Sequence, residues 1–159
     1  MLSFVKRLDK QLLDIEAHVI DANVRTAEIS AWNVGQQLEH LLIAMTGIMR
    51  GLQRGQMPHE ARKSNELRDY AFTKKSFPRG AVQAPAVALP SDSPDTKSLK
   101  RLVLKTRNRL AGIMDIPSES MMNHPILDWM TRDECIEFMT IHNDHHLAII
   151  RDILRLRSA

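Results

Sequence analysis

TRDECIEFMTIHNDHHLAIIRDILRLR, residues 131–157, decides the fold of this chain. Cys135, Met139, His142, His146, Ile149, Ile153 and Leu156 alternate four and three residues apart, the spacing of a buried stripe on one helix. Two of these seven positions are imidazoles, placed at i and i+4. A polar ring on a face that should be apolar costs burial energy unless something pairs with it, and a bound metal is the simplest partner for two at once. Thr131 and Glu134 have the spacing of a capping box, with Asp133 adding negative charge at the start. Arg151, Arg155 and Arg157 suit the carbonyl end of the dipole, so the helix is expected to run over 131–157.

Three more amphipathic stretches precede it. The first, 4–23, has Val5, Leu8, Leu12, Ile15, Val19 and Ala22 as its stripe, with His18 beside it in a surface or half-buried place rather than as a ligand. Residues 24–32 have no sustained period and read as a connection. The second helix, 33–52, carries Val34, Leu38, Leu41, Met45, Ile48 and Leu52 on its seam. Asn33, His40 and Gly47 form a flanking line seven residues apart that faces a neighbouring helix. From Gly51 to Pro94 the pattern loosens into a long crossover, with a short basic helix expected from Pro58 to Tyr70 and four prolines after Phe77. Ser93 is the expected cap of the third long helix, with Pro94 at its first position and Leu99, Val103, Thr106, Leu110 and Ile113 on its stripe to Met114. Residues 115–130 read as a second connection, with no alternation of the kind a strand shows. Four long helices with one long crossover predict an all-α, four-helix bundle formed by a single domain over 1–159.

Composition agrees with that expectation. A chain of 159 residues at 43% hydrophobic can bury a core without disulfides, and its lone Cys135, on the last helix's seam, is expected to be a buried inert thiol in a reducing compartment. The first sixteen residues become charged too soon for a signal peptide, and the apolar run 41–49 is too short to span a bilayer, so a cytoplasmic protein without membrane association is expected. The net charge is +3, yet residues 50–80 hold eight Lys or Arg against three acids, and 97–109 hold six basic residues and no acid. Such surfaces attract nucleic acid or anionic small molecules. Few aromatic residues accompany them, which favours a solvated basic face over a nucleic-acid-binding module.

The histidine pair carries the chemistry. His142 and His146 bring their rings near a common point, and His40, pointing across a bundle interior from the second helix, completes three nitrogen ligands with a coordination position left open. His145 points about a hundred degrees away from His146 on the helix circle and reads as a supporting or surface residue. Asp144 and Glu39 flank the proposed ligands and are candidates to orient a ring or move a proton. His124 is a candidate substrate or supporting group. Arg54, Arg79 and Lys74 are candidates to recognise a carboxylate or phosphate on a cofactor or substrate. The alternative without catalysis is a dimeric metal-binding or purely structural bundle that keeps the same histidines.

The residues also carry a resemblance. Trp32-Asn33-Val34-Gly35-Gln36-Gln37-Leu38-Glu39-His40-Leu41 resembles the tryptophan-to-histidine segment on the second helix of the DinB/YfiT superfamily, and His142-Asn143-Asp144-His145-His146 resembles its H-x-x-x-H on the last helix. The stretch His124-Pro125-Ile126-Leu127-Asp128-Trp129-Met130-Thr131 is similar to a branch of that superfamily described only as a domain of unknown function, where glycine is more usual than Asp128. The resemblance implies a DinB-type four-helix bundle, often a homodimer, with one nickel or zinc held by His40, His142 and His146. It further implies use of a low-molecular-weight thiol, such as bacillithiol or mycothiol, or metal-dependent hydrolysis of a small-molecule substrate. Either way the metal would bind a thiol sulfur or a water and lower its pKa.

Overall fold

The computed structural model describes residues 1–55, 62–80 and 82–157. Among them the chain is mostly helical: α1 (Leu2–Ala17), α2 (Val34–Gln53), α3 (Glu66–Lys74), α4 (Thr96–Ala111) and α5 (Arg132–Arg157). Two short antiparallel strands, β1 (Met121–His124) and β2 (Asp128–Thr131), stand just before α5.

The core lies between the four long helices: α1 packs on α4 and α5, and α2 packs on the same two. The apolar stripes put it there. Leu8, Leu12 and Ile15 of α1, the six seam residues of α2, and Leu99, Val103 and Leu110 of α4 are all buried. On α5 the seam residues Cys135, Met139, His146, Ile149 and Ile153 are buried and His142 is half-buried, while Leu156 is 47% exposed and lies outside the core. Thr26 donates to the Ile153 carbonyl at 3.0 Å, which marks where the packed part of α5 ends. Polar atoms cross the core as well. Gln11 of α1 donates to the Thr140 carbonyl at 2.9 Å and accepts from Asn143 at 3.2 Å, fixing the register of α1 against α5.

The helix ends follow local side chains. Asn33 accepts from the Gln36 amide at 2.8 Å and Gln36 returns the bond to the Asn33 amide at 3.0 Å, a full capping box at the head of α2. Thr131 and Glu134 make the box expected at the head of α5, with bonds of 2.9 and 3.3 Å. The third long helix starts differently from expectation. Asp95, not Ser93, is its cap, taking both the amide and the hydroxyl of Ser98, so Pro94 stays outside the helix. The first helix also tightens into a 3-10 turn over His18–Asp21 instead of continuing to Asn23, with His18 3.7 Å from the Asp21 carboxylate.

The crossover and the second connection depart most from the sequence-based expectation. Pro58, the expected start of the short basic helix, falls outside the described residues. The helix in that region is α3, capped by Asn65 and carried past Tyr70 to Lys74, where Lys75 turns left-handed at φ 51°. Several basic residues of the crossover are held against the rest of the chain. Arg68 is buried and donates to the carbonyls of Leu127 and Lys63, while Arg62, Lys75 and Arg79 pair with Glu134, Glu137 and Asp152 on α5. The local excess of positive charge therefore docks the crossover on acids of the last helix. Residues 115–130, expected to be without strands, contain the β1–β2 hairpin, with Met121 opposite Thr131 and His124 opposite Asp128. Four-residue strands are too short to show alternation, and the turn closes with Asp128 at φ 63°. The hairpin lies tight on α2: a Cβ at Gly51 would stand 3.1 Å from that of Met122. No helix among the described residues is long and apolar enough to cross a membrane.

Candidate metal centre

Three side chains from two helices meet at one end of the core. His40 comes from α2, and His142 and His146 lie one turn apart on α5. Their ring centroids are 5.0 Å (His40 to His142), 4.7 Å (His40 to His146) and 4.6 Å (His142 to His146) apart. One ring nitrogen from each lies within 4.8 Å of the other two, a set that could hold a metal ion. The Nε2 atoms of His40 and His142 are 3.2 Å apart.

What stands behind the rings sets which nitrogen faces inward. His40 Nδ1 is 2.7 Å from the carbonyl of Ala88, which can only accept, so the proton sits on Nδ1 and Nε2 presents a lone pair. His146 Nδ1 is 2.6 Å from Gln37 Oε1, and Gln37 turns its own amide nitrogen to Ser30 Oγ at 3.0 Å, which leaves the oxygen for the imidazole. Carbonyl groups that hold Nδ1–H and aim Nε2 are the support a metal-binding histidine needs. Burial pushes the pKa of all three rings down: His40 below its usual value, against an opposing pull from the Ala88 carbonyl, and His142 and His146 well below theirs, with each neighbouring ring adding to the effect. Neutral imidazole is the form that coordinates. By donor type and protonation, and by the tautomers of His40 and His146, these residues fit a divalent transition metal.

The three rings line one end of a cavity of about 660 Å³. Its walls come from α2, the 77–88 crossover, the hairpin turn and α5. Trp32 stands 5.1 Å from His40, and Phe138 stacks on His142 at 5.5 Å, so the histidines have apolar flanks and one open side. A closed structural site would have a fourth protein ligand; here the free side faces a space large enough for a small molecule.

His124 enters that space from the end of β1, 5.1 Å from the Phe138 ring. Its Nδ1 accepts from the amides of Ile126 and Leu127, both at 3.2 Å, so its proton is on Nε2. Burial pushes its pKa down to about 4, and it is a neutral hydrogen-bond donor at physiological pH. His145 also lines the cavity, 5.0 Å from His146 and 6.2 Å from Phe77. Arg54 lines it too.

The remaining predicted residues are directed elsewhere. Asp144 pairs with Arg7 and accepts from Gln11 at 2.8 Å, holding α1 to α5 on the side away from the rings. Glu39 accepts from the amide and hydroxyl of Ser91, at 2.6 and 2.7 Å, and anchors the end of the crossover. Arg79 is taken by Asp152, and neither it nor Lys74 lines the cavity. Cys135 is fully buried and its thiol is pushed up by that burial, the state of an inert core residue. Sequence reasoning gave no site role to Gln37, Ala88, Trp32 or Phe138, although Trp32 and Gln37 stand in the stretch that carries the resemblance. Gln37 left a signal: a glutamine three residues before His40 shares its helix face, and a buried amide needs a partner. Ala88 left none, because its contribution is a backbone carbonyl.

A family model described as Protein of unknown function (DUF1569) matches residues 4–152 of the chain. No curated protein and no solved structure matches it.

Proposed function

The chain belongs to the family of unknown function DUF1569, and we propose that it is a metal-dependent enzyme of the DinB/YfiT type, acting on a small electrophilic substrate with a low-molecular-weight thiol or water as nucleophile. One observation carries this reading: the Nδ1 atoms of His40 and His146 are each held by a carbonyl oxygen, so their Nε2 lone pairs converge with His142 beside an open cavity. The three long-range resemblances of sequence, at Trp32–Leu41, His124–Thr131 and His142–His146, support the superfamily and, with it, nickel or zinc as the metal.

A divalent metal held by His40, His142 and His146 would supply Lewis acidity, which lowers the pKa of a thiol or water toward neutrality. The chain's own residues do the rest. His40, His142 and His146 present their rings toward one point beside the cavity, with the Ala88 carbonyl and Gln37 holding the rings of His40 and His146. Phe138, Trp32 and the crossover exclude bulk water from the reacting groups. His124, its proton fixed on Nε2 by two backbone amides, donates to an oxygen that gains negative charge on the electrophile. The resemblance also implies a homodimer, and Leu13, Ile20 and Leu104 give exposed apolar surface for one.

Protein loaded with zinc or nickel, given a low-molecular-weight thiol and an electrophile such as an activated aryl halide, is expected to form the thioether, and His142→Ala to abolish that product. Equal turnover by His142→Ala overturns the reading. Turnover without thiol, on an activated ester, assigns water as the nucleophile.

A further inference from the structure

The cavity is charged at one end only. Its lining contains no Asp or Glu among the described residues, yet Arg50, Arg54 and Lys105 all line it. None of the three side chains has an ion pair or hydrogen bond within the described residues. Their neighbours behave differently: Arg107 pairs with Glu16, Arg109 with Gln53, Arg62 with Glu134 and Arg79 with Asp152. Three cations without a side-chain partner therefore line an acid-free space among the described residues.

Their position relative to the histidines sets a length. Arg50 and Arg54 follow His40 by 10 and 14 residues (50 − 40 and 54 − 40) on α2 and its cap, which at the rise of an α-helix places them roughly 15 and 21 Å further along the axis. Helical side chains lean toward the N-terminus, so both arginines lean back along α2 toward the histidine end. Between the two ends lie Ile43 and Gly47, and nothing stands within 4 Å of where a Gly47 Cβ would be. Lys105 reaches the same space from α4, which packs on α2.

We propose that the cavity takes an elongated ligand with an apolar middle and an anionic head, a carboxylate or phosphate, and that Arg50, Arg54 and Lys105 hold this head while the other end reaches the three histidines. The substrate or thiol of the proposed reaction is thus an organic anion, an assignment that rests on that reading only for what happens at the histidine end. Side chains with fixed positive charge at one end of an apolar slot select ligands by charge and by length, because a head placed too near or too far leaves the cations unpaired.

Calorimetric titration with octanoate, octyl phosphate and octanol separates these contributions, on metal-free and zinc-loaded protein alike. Both anions are expected to bind at least about tenfold more tightly than octanol, and an Arg54→Ala/Lys105→Ala double variant to lose that preference. All three residues are exposed, so the variant keeps its fold, which circular dichroism checks. Gly47→Leu, which fills the middle of the slot, is expected to weaken all three ligands. Equal affinity for octanol and the anions overturns the proposal, as does a preference that survives in the double variant or anion binding indifferent to Gly47→Leu. Scoring the metal-free protein keeps this result independent of the catalytic reading: failure of zinc binding or of turnover leaves it standing, and its failure leaves the histidine site standing.

Discussion

Gln37 is the residue on which the site's geometry turns most directly without itself being one of the three histidines. It bonds His146 Nδ1 and Ser30 in one gesture, so its oxygen can face only the imidazole. Gln37→Leu keeps the volume and removes the acceptor, and metal affinity is expected to fall by about 10 to 100-fold with the fold intact, as read by competition against a chelator of known affinity. Two glycines on the same helix give a sharper packing test, because they predict opposite signs. A Cβ at Gly35 would stand 3.0 Å from the Ala22 carbonyl oxygen, while one at Gly47 would meet nothing within 4 Å. Gly47→Ala is expected to raise stability by roughly 0.5 to 1 kcal/mol through helix propensity, and Gly35→Ala to lower it by forcing two backbones apart; thermal melts give both signs. At this scale the three ligands were legible, since His142 and His146 interrupt an apolar seam and His40 flanks another. Their supports were less so. A glutamine near a seam is a faint signal, and a carbonyl such as that of Ala88 has no side-chain signature at all.

Elements are set in this protein by caps as much as by stripes. The box between Asn33 and Gln36 closes the start of α2, six residues before His40. Asn33→Ala is expected to cost about 1 kcal/mol, measured by chemical denaturation, and to loosen the metal site in proportion, since His40 rides on that helix. At the head of α4 the capping role belongs to Asp95. Asp95→Ala is expected to cost a similar amount, about 1 kcal/mol, and Ser93→Ala close to none. The sequence around 93–96 offered two adjacent start signals, and proline at the first position of a helix is common enough to favour the wrong one. The long stripes on α1, α2, α4 and α5 were readable because four or more turns repeat the same spacing. The β1–β2 hairpin was not, because four residues per strand cannot establish a period and its turn is closed by Asp128 in a left-handed conformation instead of by glycine. That hairpin matters to the site, because it brings His124 to the cavity wall.

The whole molecule joins its core and its candidate site in one place, with an effect on stability. His40, His142, His145 and His146 all have pKa values pushed down mainly by burial, and His124 is pushed down to about 4. In each case the unfolded chain takes up protons near pH 6.5 while the folded chain resists them, so stability rises with pH through that window. The contribution is complete above about pH 6.5 and is lost as pH falls, for His124 down to about 4. Metal-free protein is therefore expected to melt at lower temperature at pH 5 than at pH 7.5, with a flatter dependence in His124→Gln. A bound metal steepens the dependence, because protons compete for the same nitrogens. The central claim is that His40, His142 and His146 together bind one divalent metal ion. It is tested most directly by titrating protein purified without an affinity tag with cobalt(II) and following the visible absorption of the bound ion. One cobalt per chain, with bands that disappear in His40→Ala, His142→Ala and His146→Ala, is the predicted result; no saturable binding, or equal binding in those three variants, would contradict it.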